Sequence, residues 1–231
     1  MRRLLVGLLL VIAMIGLGMY WGLDYEPTFY RQEVAVSPEV QKEASDQLLS
    51  TASALASAAR RQGAWSAELT DEQINGWLAV DLPVNHGDLL PKALAEPRVR
   101  LKPHELMIAC RYETGGVTTV LSLETDVYMA EPNVIAIRFR RLRSGAIPMP
   151  KSTILDALSA LADDMNLRLT WTQAENDPVA LVELPPLKRD RNVEYHLDTF
   201  ELREGSVYFA GKTTPLETAD SGVTPLFQLF P

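Results

Sequence analysis

The chain has 231 residues, with 22 lysines and arginines, 30 aspartates and glutamates, and a net charge of −8 at pH 7. A chain of this length can bury one sizeable hydrophobic core. The acidic balance argues against general binding to nucleic acid or to anionic lipid surfaces. The single cysteine, Cys110, excludes a framework of internal disulfides, so packing must hold the fold together.

The first segment of the chain, residues 4–23, is apolar and carries no charge. Its length matches the hydrocarbon core of a bilayer, and a helix would satisfy its backbone hydrogen bonds there. Arg2 and Arg3 precede it and Asp24 follows, a distribution that predicts a cytoplasmic N-terminus. We interpret 1–23 as a cytoplasmic stub with a transmembrane signal anchor. The rest is expected outside the cytoplasm of a single-pass cell-membrane protein, in the periplasm if the cell has two membranes.

The alternative interpretation of this segment is a cleavable signal peptide. That would require a shorter apolar region that ends at a cleavage site flanked by small residues. The nearest match, Gly16 to Gly18, lies inside the apolar run and is followed by bulky Met19, Tyr20 and Trp21. The anchor is therefore the favoured interpretation.

After the anchor, residues 24–36 have the mixed polar and aromatic composition of a linker. Ser37 followed by Pro38 is typical of a helix N-terminus, and Gly63 offers a stop, so a helix is predicted over 37–63. Its apolar residues recur at steps of three and four: Val40, Ala44, Leu48, Ala52, Leu55 and Ala59. An alanine-rich stripe of this kind indicates close docking against another surface.

The remaining sequence, residues 64–212, predicts one α+β domain. Thr70 and Gln73 have the spacing of a capping box and begin a second helix. The stretch from Ala79 to Pro97 holds three prolines, so it is predicted as an irregular connection with a helical turn near 92–95.

From Arg98 onward the apolar period changes to two, which is typical of strands. Hairpins with one inserted helix predict a curved antiparallel sheet packed on helices, followed by an extended tail over 213–231. The predicted strands are 106–112, 117–129, 134–142, 167–171, 179–182, 193–202 and 206–210, and the inserted helix is 153–166.

One predicted strand separates into an apolar row and a polar row, as expected when a sheet has a buried face and a solvent face. Glu124 and Asp126 belong to the polar row, which is predicted to face water. The apolar row, predicted to face the core, comprises Val117, Thr119, Leu121, Leu123, Thr125, Val127 and Met129.

The motifs of common enzyme classes are not found in the sequence. His86, His104 and His196 lie far apart, and none has a second metal ligand at three- or four-residue spacing. There is no Gly-x-Ser-x-Gly elbow, phosphate loop or dinucleotide fingerprint. We therefore predict no cofactor, no metal and no catalytic residue.

Four arginines, Arg138, Arg140, Arg141 and Arg143, cluster within six residues of an otherwise acidic domain. One interpretation is an exposed strand neutralised by Glu124 and Asp126 on the neighbouring strand. The other is a contact site for an anion or a partner, because the guanidinium fork binds phosphate or carboxylate in a bidentate way.

Three motifs together carry a resemblance to a known family. They are Leu69-Thr-Asp-Glu-Gln-Ile-Asn-Gly-Trp-Leu78, Pro97-Arg-Val-Arg-Leu101 and Arg143-Ser-Gly-Ala-Ile-Pro-Met-Pro150, in this order after an apolar N-terminal segment. This order resembles uncharacterised membrane-anchored envelope proteins of the YpmS type. These are similar in turn to tubular lipid-binding domains, in which a curved sheet wraps a long helix and encloses an apolar groove. The likeness covers residues 64–165 and implies no catalytic residues.

Two classes of function stay open, with an enzyme as the third and least favoured. The first is a non-catalytic binding module for a lipid or another apolar ligand, and the second is a scaffold or assembly subunit that docks onto an envelope protein. A ligand groove would be lined by Leu121, Leu123, Ile137, Leu158 and Leu161. The alternative for those five leucine and isoleucine residues is that they fill a closed core.

Overall fold

The computed structural model describes residues 22–164, 168–184 and 193–215, apart from the side chains of Ile154, Ala157, Leu161, Asp164 and Val193. Among the helices of these stretches, none is long and apolar enough to cross a membrane. The predicted span over 4–23 lies outside the described residues except for its last two.

The described part of the chain contains four α-helices and ten β-strands. The helices are α1 (Thr28–Val34), α2 (Pro38–Ala59), α3 (Asp71–Asn85) and α4 (Ser152–Asp164). The strands are β1 (Gly63–Thr70), β2 (Leu94–Lys102), β3 (Glu105–Thr114), β4 (Val117–Glu131), β5 (Val134–Ser144), β6 (Ile147–Met149), β7 (Arg168–Ala174), β8 (Asp177–Glu183), β9 (Val193–Arg203) and β10 (Ser206–Pro215). The prediction of an α+β fold with an antiparallel sheet packed against helices is confirmed.

The strands form two antiparallel sheets. The larger sheet has the order β2-β3-β4-β5-β8-β7, with β6 paired to β5, and the smaller sheet has the order β1-β10-β9. One core cluster lies between them, because it takes residues from both sheets: Leu101, Val127, Ile135, Leu202 and Val207. A second cluster on the larger sheet, with Leu123 and Phe139, is covered by Leu158 of α4 and by Trp171.

Polar residues of α3 bind the outer edge of the larger sheet, where β2 has no neighbouring strand. The buried side chain of Asn75 donates to the carbonyl of Val99 at 2.9 Å and accepts from the amide of Val99 at 2.8 Å. The Asp71 carboxylate accepts from the Leu101 amide at 3.5 Å, and the Leu101 carbonyl accepts from Gly205 at 3.1 Å. An exposed edge strand invites pairing with other chains, and these contacts close it.

The predicted capping box at the start of α3 is confirmed. The Gln73 amide donates to the Thr70 hydroxyl at 3.2 Å, and the Thr70 amide donates to the Gln73 side chain at 3.2 Å. These two bonds satisfy backbone groups that a helix N-terminus leaves unpaired. The polar residues of the Thr70–Asn75 segment therefore begin α3 and fix it to β2.

Small residues let α2 approach α3 closely around Ala44, one member of the predicted alanine-rich stripe. Ala44 and Ser45 are the buried residues of α2. A β-carbon added at Gly76 of α3 would lie 2.6 Å from the Gln41 carbonyl oxygen and 2.7 Å from the Ser45 nitrogen. The backbones are so close that no side chain fits at Gly76.

The prediction of a linker over 24–36 is wrong for the segment that forms α1. Phe29 and Tyr30 of this helix are buried against Ala109 and Val120 on the outer face of the larger sheet. The face of β4 predicted to face water is therefore covered here. Burial of two aromatic side chains overrides a composition that is typical of a linker.

Other boundaries also differ from the predicted ones. The predicted helix over 37–63 ends at Ala59, and β1 follows, although no strand was predicted there. The prediction of an irregular stretch from Ala79 is wrong as far as Asn85, because α3 continues through Pro83. The predicted turn of helix near 92–95 is instead a non-helical turn at 92–93 that leads into β2 at Leu94, and the predicted tail begins inside β10.

The contact at Gly76 predicts that Gly76→Ala destabilises the protein. Alanine normally favours a helix interior by about 0.5–1 kcal/mol, but overpacking against backbone costs about 1–3 kcal/mol. We expect a net loss in the free energy of unfolding, measured by urea denaturation. Gly87→Ala is the matched control, because nothing lies within 4 Å of its added β-carbon. A stabilised Gly76→Ala variant would contradict this packing.

Candidate functional site

The arginine-rich segment lies on β5, and three of its four arginines are paired with acids. The guanidinium of Arg138 is 2.8 Å from Asp126 and 2.9 Å from Glu175, and that of Arg140 is 3.1 Å from Asp126. Arg141 is 3.0 Å from Glu124. One interpretation of the sequence was that acids on a neighbouring strand neutralise these arginines, and three of the four arginines are paired with acids in the structure. This pairing argues against their use as an anion site.

Arg143 differs, because it forms no ion pair with any residue that the structure describes. It lines a pocket of about 370 Å³ beneath Tyr25 and Phe29, together with Arg100 and Lys102. Arg100 is already paired with Glu33 at 2.7 Å and with Asp71 at 3.4 Å. Burial raises the pKa of the Asp71 carboxyl.

Three of the five residues predicted to line an apolar groove lie in or against a packed core cluster. Leu123 is a buried member of the core cluster under α4, and Ile137 and Leu158 pack against it. Leu121 is half-buried on β4, opposite Cys110 on β3. The side chain of Leu161 lies outside the described residues. The structure thus brings Leu123, Ile137 and Leu158 together in a core.

A larger cleft lies elsewhere, between the C-terminal half of α3 and the segment that leads into β2. Its volume is about 710 Å³, within the range of small-molecule sites. Apolar side chains supply most of its lining: Val34, Val36, Leu78, Ala79, Leu82, Pro83, Leu90, Pro91, Leu94 and Pro97. Three charged side chains also line it, those of Lys92, Glu96 and Arg98.

Arg98 is the unusual member of this lining, because it is only 4% exposed. Its Nη1 donates to the Pro97 carbonyl at 2.7 Å, but its Nε has no hydrogen-bond partner among the described residues. Burial lowers the pKa of this guanidinium. A buried charge normally carries a full set of partners, so an arginine with a spare donor at a cleft is a candidate binding group.

A second buried donor without a partner lies beside Arg98. The Tyr30 side chain is 1% exposed, and its hydroxyl has no hydrogen-bond partner among the described atoms. Burial, with the nearby Glu96 carboxylate, raises the pKa of Tyr30 to about 12. An unsatisfied buried group costs about 1–3 kcal/mol, which an arriving acceptor would recover.

No protein-family model matches the chain, and searches of curated proteins and of solved structures each found no match. The resemblance to YpmS-type envelope proteins and to tubular lipid-binding domains therefore stays a prediction.

No sequence pattern predicted Arg98, Glu96 or Tyr30 as site residues. Arg98 lies in a strand, and alternation indicates only the face of the sheet to which a strand residue belongs. Tyr30 falls in the segment predicted as a linker. The positive φ of 49° at Glu96, next to Pro97, marks a bulge in β2 between Ala95 and Arg98, and no sequence pattern signalled it.

In the described part of the chain, the histidines and Cys110 do not come together in one metal site. Across the described stretches, no group of three or more histidine, cysteine or acidic side chains is placed to hold a metal ion. His86 is 3.5 Å from Asp81, and His196 is 3.4 Å from Glu194. Cys110 is free and half-buried on β3, and burial raises the pKa of its thiol to about 11.

This raised pKa predicts slow chemical modification of Cys110 in the folded protein. The thiolate is the reactive form, and a shift from 9.0 to about 11 lowers its population about a hundredfold at pH 8. Iodoacetamide labelling followed by mass spectrometry should therefore be slow in buffer and fast in guanidinium chloride. Equal labelling rates in the two conditions would contradict the burial of this thiol.

Proposed function

We propose that the protein is a membrane-anchored, non-catalytic domain that binds a lipid or another apolar ligand in the cleft beside α3. The observation that carries the proposal is the cleft itself, about 710 Å³ and mostly apolar. A concave apolar surface with a few polar groups is the usual form of a small-molecule site. This cleft replaces the predicted groove residues as the favoured ligand site.

The anchor in this proposal is the apolar, uncharged segment over 4–23, with the N-terminus cytoplasmic and the domain outside. Its last residues contact the larger sheet. The Gly22 carbonyl accepts from the Ala146 amide at 2.7 Å, and the Leu23 carbonyl accepts from the Thr119 hydroxyl at 2.8 Å. An anchor that ends on the sheet would hold the domain close to the bilayer, from which an apolar ligand could be supplied.

We also propose that the protein is not an enzyme. The structural roles of its polar side chains support this part of the proposal. Asn75 and Asp71 bond the backbone of β2, and Thr70 and Gln73 cap α3. Arginines of β5 are paired with acids on β4. These side chains serve the fold, whereas an active site needs titratable groups that converge on a substrate.

The second candidate is a scaffold or assembly subunit that docks onto an envelope protein. The surface of α2 favours it, because this 22-residue helix fully buries only Ala44 and Ser45 among its described side chains. Val40 and Leu49 are 55% and 41% exposed. Photo-crosslinking from position 49 in membranes would capture such a partner.

The ligand proposal predicts that an apolar molecule co-purifies with the full-length chain. The chain would be expressed in bacterial membranes, transferred to amphipol, and analysed by native mass spectrometry and organic extraction. Ala79→Trp should lose the bound molecule, because its indole would fill the cleft that Ala79 lines. Ala54→Trp is the matched control, on the exposed surface of α2.

An unfolding midpoint measured on both tryptophan variants separates loss of binding from loss of fold. Wild-type protein without a stoichiometric apolar molecule would contradict the proposal and favour the scaffold. A molecule that is retained equally by Ala79→Trp and Ala54→Trp would belong to the anchor or to another surface, and would also contradict it.

A further inference from the structure

The cleft beside α3 is lined by a buried guanidinium group with an unused donor. Arg98 is 4% exposed and keeps an Nε without an acceptor among the described residues. The nearest acid on its strand is Glu96, whose carboxylate lies 2.8 Å from the guanidinium of Arg111. One carboxylate therefore serves two guanidinium groups in this cluster of Arg98, Arg111 and Glu96.

A second acid near Arg98 is bonded to another arginine. Glu33 is 2.7 Å from Arg100, and Asp71 is 3.4 Å from the same guanidinium. The exposed side chain of Lys92 adds a positive charge to the lining of the cleft. In a chain with a net charge of −8, a buried guanidinium with an unused donor at an apolar cleft is a specific feature. Such a group is unfavourable until an acceptor reaches it.

The backbone of β2 is distorted at this point. Ala95 pairs with Arg111 and Arg98 pairs with Ala109, so Glu96 and Pro97 form a bulge. Glu96 has a φ of 49°, a conformation that non-glycine residues rarely adopt. Bulges change the direction of side chains and are common beside binding sites. Here the bulge contains Glu96 and is followed directly by Arg98, and both residues line the cleft.

We propose that Arg98 is the head-group anchor of the cleft and that its ligand is an amphiphile with one carboxylate at the end of an apolar body. This inference rests on the proposed function and names the class of its ligand. The planar guanidinium fork matches a carboxylate, and the apolar lining takes the body. The Tyr30 hydroxyl, a second buried donor without an acceptor, lies in the same cluster.

A single carboxylate matches one guanidinium whose Nε has no acceptor among the described residues. A phosphate monoester carries about −1.5 to −2 at neutral pH, so its burial would cost more desolvation than that of a carboxylate. An alcohol head brings no charge to the guanidinium, and an amine head brings one of the same sign.

The test is photolabelling of the full-length chain in nanodiscs with two matched probes. One is a medium-chain alkyl carboxylate with a terminal diazirine, and the other is the corresponding alcohol. Peptide mapping reports labelling within residues 78–98, so partition of the probe into the bilayer does not affect the result. We expect the carboxylate to label these residues at least about tenfold more than the alcohol, since a charge-assisted bidentate contact distinguishes the two.

Variants test the role of Arg98. Arg98→Met should abolish the preference for the carboxylate and leave labelling by the alcohol unchanged. Glu96→Gln should increase labelling by the carboxylate, because it removes the acid that lines the cleft; such a gain cannot come from unfolding. Lys102→Met is the matched control, on the same strand and lining the other pocket, and should behave as wild type.

Three outcomes would overturn the inference. Equal labelling by both probes would remove the head-group anchor and leave the proposed function intact. Labelling by neither probe would contradict the proposed function as well. Carboxylate labelling that appears only after deletion of residues 216–231 would assign the cleft to the chain's own tail.

Discussion

Two hydrogen bonds between Asn75 and the backbone of Val99 join the helical layer to the open edge of the larger sheet. They replace the neighbouring strand that β2 lacks, and both partners are buried, so water cannot take over these bonds. Asp71 and the β9–β10 turn at Gly205 complete the same edge at Leu101. The cleft depends on this arrangement, because its walls include the rest of α3 and the residues of β2 just before Val99.

The two faces of the larger sheet differ in their side chains and in the elements that cover them. The inner face is covered by the smaller sheet and by α4, and its leucine, isoleucine and valine side chains fill the core. The outer face carries basic residues of β2, β3 and β5, several of which are paired with acids. The helix α1 packs Phe29 and Tyr30 onto this outer face, and the two pockets lined by Arg98 and by Arg143 lie beside it.

The sequence predicted the features that depend on local patterns. Thr70 and Gln73 are three residues apart, so their spacing predicted a capping box. The alternation in β4 and β5 predicted the strands, with ion pairs between them as one of two interpretations of the arginines. Trp65, Ala67 and Leu69 also alternate in β1, and that pattern was missed. Burial of Phe29 and Tyr30, and the bulge that presents Arg98, arise from contacts between distant segments, which no local pattern contains.

The most direct test of this account is the free energy of unfolding of Asn75→Ala, measured by urea denaturation. The substitution leaves the amide and carbonyl of Val99 buried without partners, so we expect a loss of about 2–3 kcal/mol. Asn85→Ala, at the exposed end of the same helix, removes only a bond to Asp81 and should change the free energy by less than about 0.5 kcal/mol. Equal, small losses in both variants would contradict the claim that Asn75 holds α3 to the sheet edge.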